Sequence, residues 1–331
     1  MTKDLDFQIT LKDMLVIKLM EGTMVNRVTV LGSLNVDNIM QVKRLPLPGE
    51  TMTMSAKKIA GGGKGANQAI AAARSGAQTA FIGKVGADEQ GRLMKGYLED
   101  AKIDATSVTL ATEETGQAFI LLQENGENSI LVLGGANQAI TDDDIEDAKE
   151  KITTADFLIT QFETPIEASI TAFKYAKEND VVTILNPAPA KRVPEALLKN
   201  VDLIVLNETE TELLTEIKID EEESWHQAAA KLAKMGVKNT IITLGSKGAY
   251  YKTTTAEGFI KAFKVATLDT TAAGDTFLGA LSSQLHKDLS NIEEAIVFAS
   301  MASALAVQKL GAIPSIPQLS EVNDALGEAN F

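Results

Sequence analysis

The segment with the strongest claim to chemistry is Leu268-Asp269-Thr270-Thr271-Ala272-Ala273-Gly274-Asp275-Thr276-Phe277, where small residues lead straight into an apolar helix. Ala272, Ala273 and Gly274 leave room for an anion to reach the unpaired amide groups of a helix start. The turn can therefore form an anion hole for a transferring phosphoryl group. Asp275, in the first helical turn, stands where a carboxylate can take the proton of an attacking hydroxyl. A plainer reading is an acid that favours the helix dipole, worth about 0.3–1 kcal/mol. That reading explains the acid but not the small-residue approach before it.

A second segment, Ala60-Gly61-Gly62-Gly63-Lys64-Gly65-Ala66-Asn67, opens an alanine-rich helix running to Ser75. Consecutive glycines let backbone approach a ligand, and the helix start offers N–H groups to it. Lys64 and Asn67 would project toward that ligand. The spacing is not that of a Walker A loop, and no Ser or Thr follows the lysine. A tight turn accounts for the glycines equally well. Three further polar groups fall at strand ends. Asn207 and Glu210 lie in Val205-Leu206-Asn207-Glu208-Thr209-Glu210, where Asn207 is a ready helix cap and Glu210 could organise Mg2+ through water. Thr243-Leu244-Gly245-Ser246-Lys247-Gly248 is either a cradle for nucleotide phosphate or ribose, or a plain strand-to-hairpin turn. Asn35 and Asp37 are read at the end of the first strand, the edge at which open α/β sheets bind ligands.

These residues need a scaffold that brings strand ends together. Short β-branched runs at residues 27–31, 79–84, 157–161, 181–186, 203–207 and 240–244 alternate with helical segments at 64–75, 90–101, 166–178 and 223–235. Such alternation predicts βαβ units around a mostly parallel sheet. Two long helices, about 273–286 and 292–310, and a short one close the chain. Residues 38–59 and 117–133 break the pattern with strands and a hairpin. They either extend the main sheet or pair into a small separate sheet that acts as a lid. Residues 1–24 look detached, as an extension or the product of a start site assigned upstream of Met24.

Composition narrows the classes of activity. Against 31 Lys and Arg stand 45 Asp and Glu, a net charge of -14, which argues against nucleic acid or an anionic membrane as the main partner. The absence of Cys excludes thiol nucleophiles and disulfides. The two histidines, His226 within a helix and His286 near the end of another, are expected at the surface. No apolar run approaches the ~20 residues needed to span a bilayer. Early charges at Lys3, Asp4 and Asp6 do not fit a signal peptide, so a cytoplasmic enzyme is expected.

Taken together, GGGKGAN with its helix, NETE, and DTTAAGDTFLGAL beginning at Asp269 make the chain resemble the ribokinase-like, or PfkB, carbohydrate kinases from about Val28 onward. The resemblance implies a three-layer α/β/α domain over residues 25–331, with a small β-sheet lid and homodimerisation through it. It implies ATP-dependent phosphorylation of a sugar, with D-ribose giving D-ribose 5-phosphate as the leading case. A deoxyribokinase, a fructokinase or a non-catalytic sugar-binding regulator are the alternatives. By resemblance the sugar side maps to Asn35, Asp37, Gly63, Lys64, Asn67, Glu163 in Gln161-Phe162-Glu163-Thr164-Pro165, and Asp275. Asn186-Pro187-Ala188-Pro189-Ala190 also resembles a family segment. The ATP side maps to Asn207, Glu210, Thr243, Leu244, Gly245, Ser246, Lys247, Gly248, Gly274 and Asp275. Ser300 stands at an adenine-side position commonly filled by His or Asn. Mg2+ is implied with ATP. A K+ would be held by Asp269 and Ser315, with backbone oxygens of Thr271, Ala306, Lys309 and Gly311.

Overall fold

The computed structural model describes residues 25–125 and 127–329, so the expectation for residues 1–24 lies outside the described residues. In chain order the strands are β1 (Arg27–Leu31), β2 (Asn35–Val42), β3 (Ala56–Gly62), β4 (Gln78–Gly86), β5 (Asp104–Ala111), β6 (Gly116–Gln123) and β7 (Asn128–Leu133). They continue with β8 (Phe157–Thr160), β9 (Val182–Leu185), β10 (Leu203–Asn207), β11 (Asn239–Thr243), β12 (Gly248–Lys252) and β13 (Glu257–Lys261). Nine of them form one sheet in the order β13-β12-β11-β10-β9-β8-β1-β4-β5, parallel except for the final hairpin.

Central strands read as unbroken apolar runs because both faces of the sheet are covered. Val28, Val30, Phe157, Ile159, Leu203 and Val205 enter one core. Their neighbours Leu31, Leu158, Ile204 and Leu206 enter the other. Helices Lys64–Arg74, Ala273–Gln284 and Ile292–Ala306 cover the first face, and Ile166–Glu178 packs on the second. Lys64–Arg74 and Ala273–Gln284 approach so closely that a Cβ on Gly279 would lie 2.3 Å from the Gln68 carbonyl oxygen.

The inserted strands form a separate sheet, β3-β2-β6-β7, rather than extending the main one. Asn35 and Asp37, expected at the end of the first strand, belong instead to the start of β2. β1 ends at Leu31, and Gly32–Leu34 carry the chain out of the main sheet into the small one. On the outer strand of that sheet Ile130, Leu131 and Val132 are exposed, at 52%, 66% and 57%.

Other expectations shift at element ends. The helix expected to reach Leu310 stops at Ala306, because the Val307 carbonyl turns to accept the amides of Leu268 and Asp269. His286 lies beyond the end of its helix, exposed, with its amide donating to Asn291. His226 is partly exposed against Glu257 and Tyr250. The segment after β11 is a single 3-10 turn, Gly245–Lys247, into the antiparallel hairpin β12–β13, so the strand-to-hairpin reading holds for its backbone. Strands β5, β12 and β13 are additions to the expected set.

Candidate active site

The sheet changes direction of growth between β1 and β8, the place where open α/β sheets form a ligand crevice. Ser33 follows β1 and Glu163 follows β8; the Ser33 hydroxyl donates to the Glu163 carboxylate across the switch. The same carboxylate oxygen accepts from the Lys64 amide at 3.1 Å and from Asn35 Nδ2 at 3.4 Å. Glu163 thereby ties together the two strand ends, the lid entrance and the glycine-rich helix start. Asn137 completes this corner. Its Nδ2 donates to Asn35 Oδ1 at 2.7 Å, and its Oδ1 accepts from the Leu34 amide at 2.9 Å.

Much of the glycine requirement is internal. Gly63 has φ +93°, and a Cβ there would sit 2.8 Å from the Asn35 amide nitrogen. A Cβ on Gly65 would meet the Ser33 amide nitrogen at 2.5 Å. The run therefore lets the helix start press onto the β1–β2 connection, as well as leaving room for a ligand.

Asp275 sits in the first turn of Ala273–Gln284 and is buried. Its Oδ2 accepts from Asn67 Nδ2 at 3.0 Å and its Oδ1 from Gln68 Nε2 at 2.9 Å. Gln68 Oε1 in turn accepts from Gln161 Nε2 at 2.6 Å. The Asn67 Oδ1 is buried with no partner among the described residues, leaving an acceptor for a ligand hydroxyl. Ala272 holds the left-handed conformation, φ 61°, and turns the chain into the helix. The Ala273 amide is engaged by the Thr270 carbonyl at 3.2 Å. By helix geometry the Gly274 and Asp275 amides lack an intrahelical acceptor, and a Cβ on Gly274 would meet nothing within 4 Å. These two amides are open to an incoming anion.

Charges converge on the same point. The Lys64 ammonium is held above the usual lysine range by Asp275, against burial, with Glu163 and Glu210 adding to the effect. Burial, reinforced by Glu163 and Asp275, pushes the Asp37 carboxyl from its ordinary 3.8 up to about 7. Burial also raises Glu210, offset by the Asn207 amide and Lys64. A carboxyl raised on folding stabilises the fold at low pH. For Asp37 that contribution is full below about 4 and is lost as pH rises to about 7. The Asp37→Asn variant is therefore expected to gain melting temperature over the wild type as pH is raised from 4 to 7, measured by differential scanning fluorimetry. A difference that does not change with pH would contradict the charge assignment.

On the other side of Asp275 a crevice is lined by Lys64, Asn207, Glu210, Thr243, Thr270 and residues Ala272 to Asp275. Asn186, Ala188 and Leu278 also line it. Asn207 caps helix Glu208–Thr215 in a reciprocal box with Glu210, so the bland reading of Asn207 holds. Both Glu210 oxygens accept from Asn207, which leaves Glu210 suited to a water-mediated rather than a direct metal contact. The Thr243 hydroxyl donates to the Leu206 carbonyl at 3.1 Å. Of the following residues, Gly245, Ser246 and Lys247 are exposed and outside this lining. Leu244 turns its side chain into a core, and a Cβ on Gly248 would lie 2.0 Å from the Ile260 carbonyl, so neither offers more than backbone. Ser300 is half-buried on helix Ile292–Ala306, outside this lining.

Behind the anion hole, Asp269 accepts from the Thr271 amide and hydroxyl, at 2.9 and 2.6 Å, and from the Gly311 amide at 2.8 Å. Burial raises this carboxyl, but those hydrogen bonds prevail and hold it below its ordinary range. The Ala306 carbonyl accepts from the Lys309 amide, and the buried Ser315 hydroxyl donates to the Ala312 carbonyl at 2.7 Å. Asp269, the Ala306 carbonyl and the Ser315 hydroxyl thus each take part in a hydrogen bond within the protein.

Three amides that meet the candidate site residues went unseen in the sequence: Asn137, Gln68 and Gln161. Only contacts far along the chain mark them, of Asn137 with Asn35, Gln68 with Asp275 and Gln161 with Gln68. Removing the Asn137 amide frees Asn35 to turn. The Asn137→Ala variant should raise the KM of the ligand bound at this corner about tenfold with a smaller change in kcat, a loss of about 1.4 kcal/mol in binding. Steady-state kinetics checks this; an unchanged KM would contradict it.

The chain belongs to the pfkB family of carbohydrate kinases, whose model matches residues 25–319. It is 48% identical over 302 residues to the ribokinase of Staphylococcus aureus (strain COL), an alignment covering 91% of this chain and 99% of that one. It is 34% identical to the deoxyribokinase of Salmonella typhi, over 90% of this chain and 98% of that one. Among solved structures, the ribokinase of Arabidopsis thaliana complexed with ribose and ATP superposes with a TM-score of 0.85 at 34% identity, covering 93% of this chain and 100% of that one. The fold is accordingly the ribokinase-like α/β fold, a mostly parallel sheet with a small separate one. Among the described residues no helix is long and apolar enough to cross a membrane.

Proposed function

We propose that this chain phosphorylates D-ribose with ATP, giving D-ribose 5-phosphate and ADP. The observation that carries the reading is the position of Asp275. Its carboxylate is held by Asn67 and Gln68 where the polar corner of Asp37, Lys64 and Glu163 meets the crevice of Asn207, Glu210 and Thr243. Asn35, Asp37, Gly63, Lys64, Asn67 and Glu163 would read the sugar hydroxyls, since each buried polar group left unmatched by a wrong sugar costs free energy. Asp275 accepts the proton of the attacking hydroxyl as the new O–P bond forms. The Gly274 and Asp275 amides and the Lys64 ammonium receive the charge of the transferring phosphoryl group.

ATP would lie along Asn207, Glu210, residues 243–248 and Gly274, with Ser300 toward the adenine. Mg2+ bound with ATP would neutralise phosphate charge, and Glu210 would orient it through water. Asp269, Ser315 and the carbonyls of Thr271, Ala306, Lys309 and Gly311 would hold K+ and so order the loop that carries the anion hole. We read residues 25–331 as one kinase domain with β2, β3, β6 and β7 as its lid. The enzyme is read as cytoplasmic. The exposed apolar strand β7 supports a homodimer through the lid sheet, since such an edge invites pairing.

An ADP-release assay with ribose, 2-deoxyribose, fructose and a nucleoside tests the substrate. Ribose should give the highest kcat/KM. A preference for 2-deoxyribose or fructose would move the assignment within the family, and no turnover with any sugar would favour a binding protein.

A further inference from the structure

The reading of Asp275 as base leaves two buried amides unexplained. Gln68 and Gln161 are both fully buried, and neither lines the nucleotide crevice. They form a chain that ends on Asp275. Gln161 donates to Gln68 at 2.6 Å, and Gln68 donates to Asp275 Oδ1 at 2.9 Å.

The direction of this chain follows from chemistry. An ionised carboxylate only accepts hydrogen bonds, so Gln68 must present its nitrogen to Asp275 and its oxygen away. That oxygen then needs a donor, which fixes the nitrogen of Gln161 toward it. A side branch agrees: Gln68 Nε2 also reaches Asn186 Oδ1 at 3.3 Å, while Asn186 Nδ2 donates to the Val205 carbonyl at 3.0 Å. The consequence is that Gln161 Oε1 is buried with no partner among the described residues. It faces Gly32, where a Cβ would come within 2.4 Å of it. An amide pair present only to fill the core would gain nothing from leaving that oxygen unpaired. The backbone of Gln68 is fixed as well, by the close approach of Gly279 to its carbonyl.

We infer that Gln161 and Gln68 form a directional amide relay that fixes the carboxylate of Asp275, with Gln68 a positioning residue for the phosphoryl transfer. The inference rests on the proposed role of Asp275. Asn67 holds one carboxylate oxygen from the sugar side and Gln68 holds the other from within the protein, so the plane of the carboxylate is set before substrate arrives. Small displacements of a reacting group carry large penalties in rate.

The test compares Gln68→Met, Gln161→Met, the double variant and Asp275→Asn in the full-length protein, by steady-state kinetics and calorimetric sugar binding. Gln68→Met should lower kcat about 10- to 100-fold, with the sugar KM and Kd changing by less than about threefold. Gln161→Met should lower kcat less, and the double variant should match Gln68→Met alone, because Gln161 acts through Gln68. Additive losses would overturn the relay, as would a loss confined to KM. Should Gln68→Met fail to fold, Gln68→Glu keeps the shape while setting an acceptor against Asp275. It should lose at least as much kcat, and normal turnover in it would overturn the relay. Near-wild-type turnover in Asp275→Asn would instead remove the base itself. An inactive Asp275→Asn beside a fully active, folded Gln68→Met would remove the relay alone.

Discussion

Replacing Asp275 by Asn is expected to lower kcat about 10²- to 10⁴-fold, the range set by losing a positioned proton acceptor. The substitution preserves volume, so the fold and the sugar corner should survive. Its effect is not confined to the lost charge. Both oxygens of Asp275 accept from side-chain amides, Asn67 on one and Gln68 on the other. The amide nitrogen introduced by the substitution must face one of these donors, so either Asn67 or Gln68 has to turn away. Sugar affinity should therefore fall by a few-fold at most, and kcat by far more. Stopped or steady-state ADP release, paired with calorimetric binding of the sugar, separates the two. A variant with most of its turnover intact would show that another group accepts the proton.

The second large effect is expected at Lys64. Its ammonium is raised above the ordinary lysine value by Asp275, Glu163 and Glu210, so it stays charged throughout the range from pH 5 to 9. Its stabilising contribution is present below the ordinary value near 10.5 and is lost only as pH rises past the folded one. Lys64→Met leaves those carboxylates facing each other without a cation. Stability should fall at pH 8, because those carboxylates keep their mutual repulsion without the cation. The loss should be present at pH 5 as well as at pH 8, since the ammonium is charged across that range. Turnover should fall as well, since the transferring phosphoryl group loses a cation. Denaturant melts at the two pH values check the stability claim; wild-type stability at both would contradict it.

How much of this was legible depended on whether the signal was local. Asp275, Lys64 and Asn67 stand in runs of small residues that open helices, a pattern a single stretch of sequence carries. The alternation of strands and helices was visible for the same reason, because the central strands are buried on both faces and read as apolar runs. Strands β5 and β13 were not legible, since they form the two edges of the main sheet and alternate with exposed residues. Asn35 and Asp37 were assigned to the wrong element because Gly32–Leu34 leaves the sheet without any turn residue beyond one glycine. Gln68, Gln161 and Asn137 carry no local signal at all. Gln68 follows Asn67 in an alanine-rich helix, and its meaning appears only where that helix meets Ala273–Gln284 across the β1–β8 switch. The glycine run was legible as a close approach, but the partner of that approach proved largely to be the protein's own Ser33, Asn35 and Asp37.

The proposed reaction transfers the ATP γ-phosphoryl group to the primary hydroxyl of ribose, with Asp275 as acceptor of its proton. Phosphorus NMR of the product formed from ATP and D-ribose, run in parallel with wild type and Asp275→Asn, tests it most directly. The wild type should give ADP and a single new phosphate ester on O5, and the variant scarcely any ester over the same time. Inorganic phosphate in place of the ester, an ester on another hydroxyl, or an equal yield from the variant would contradict it.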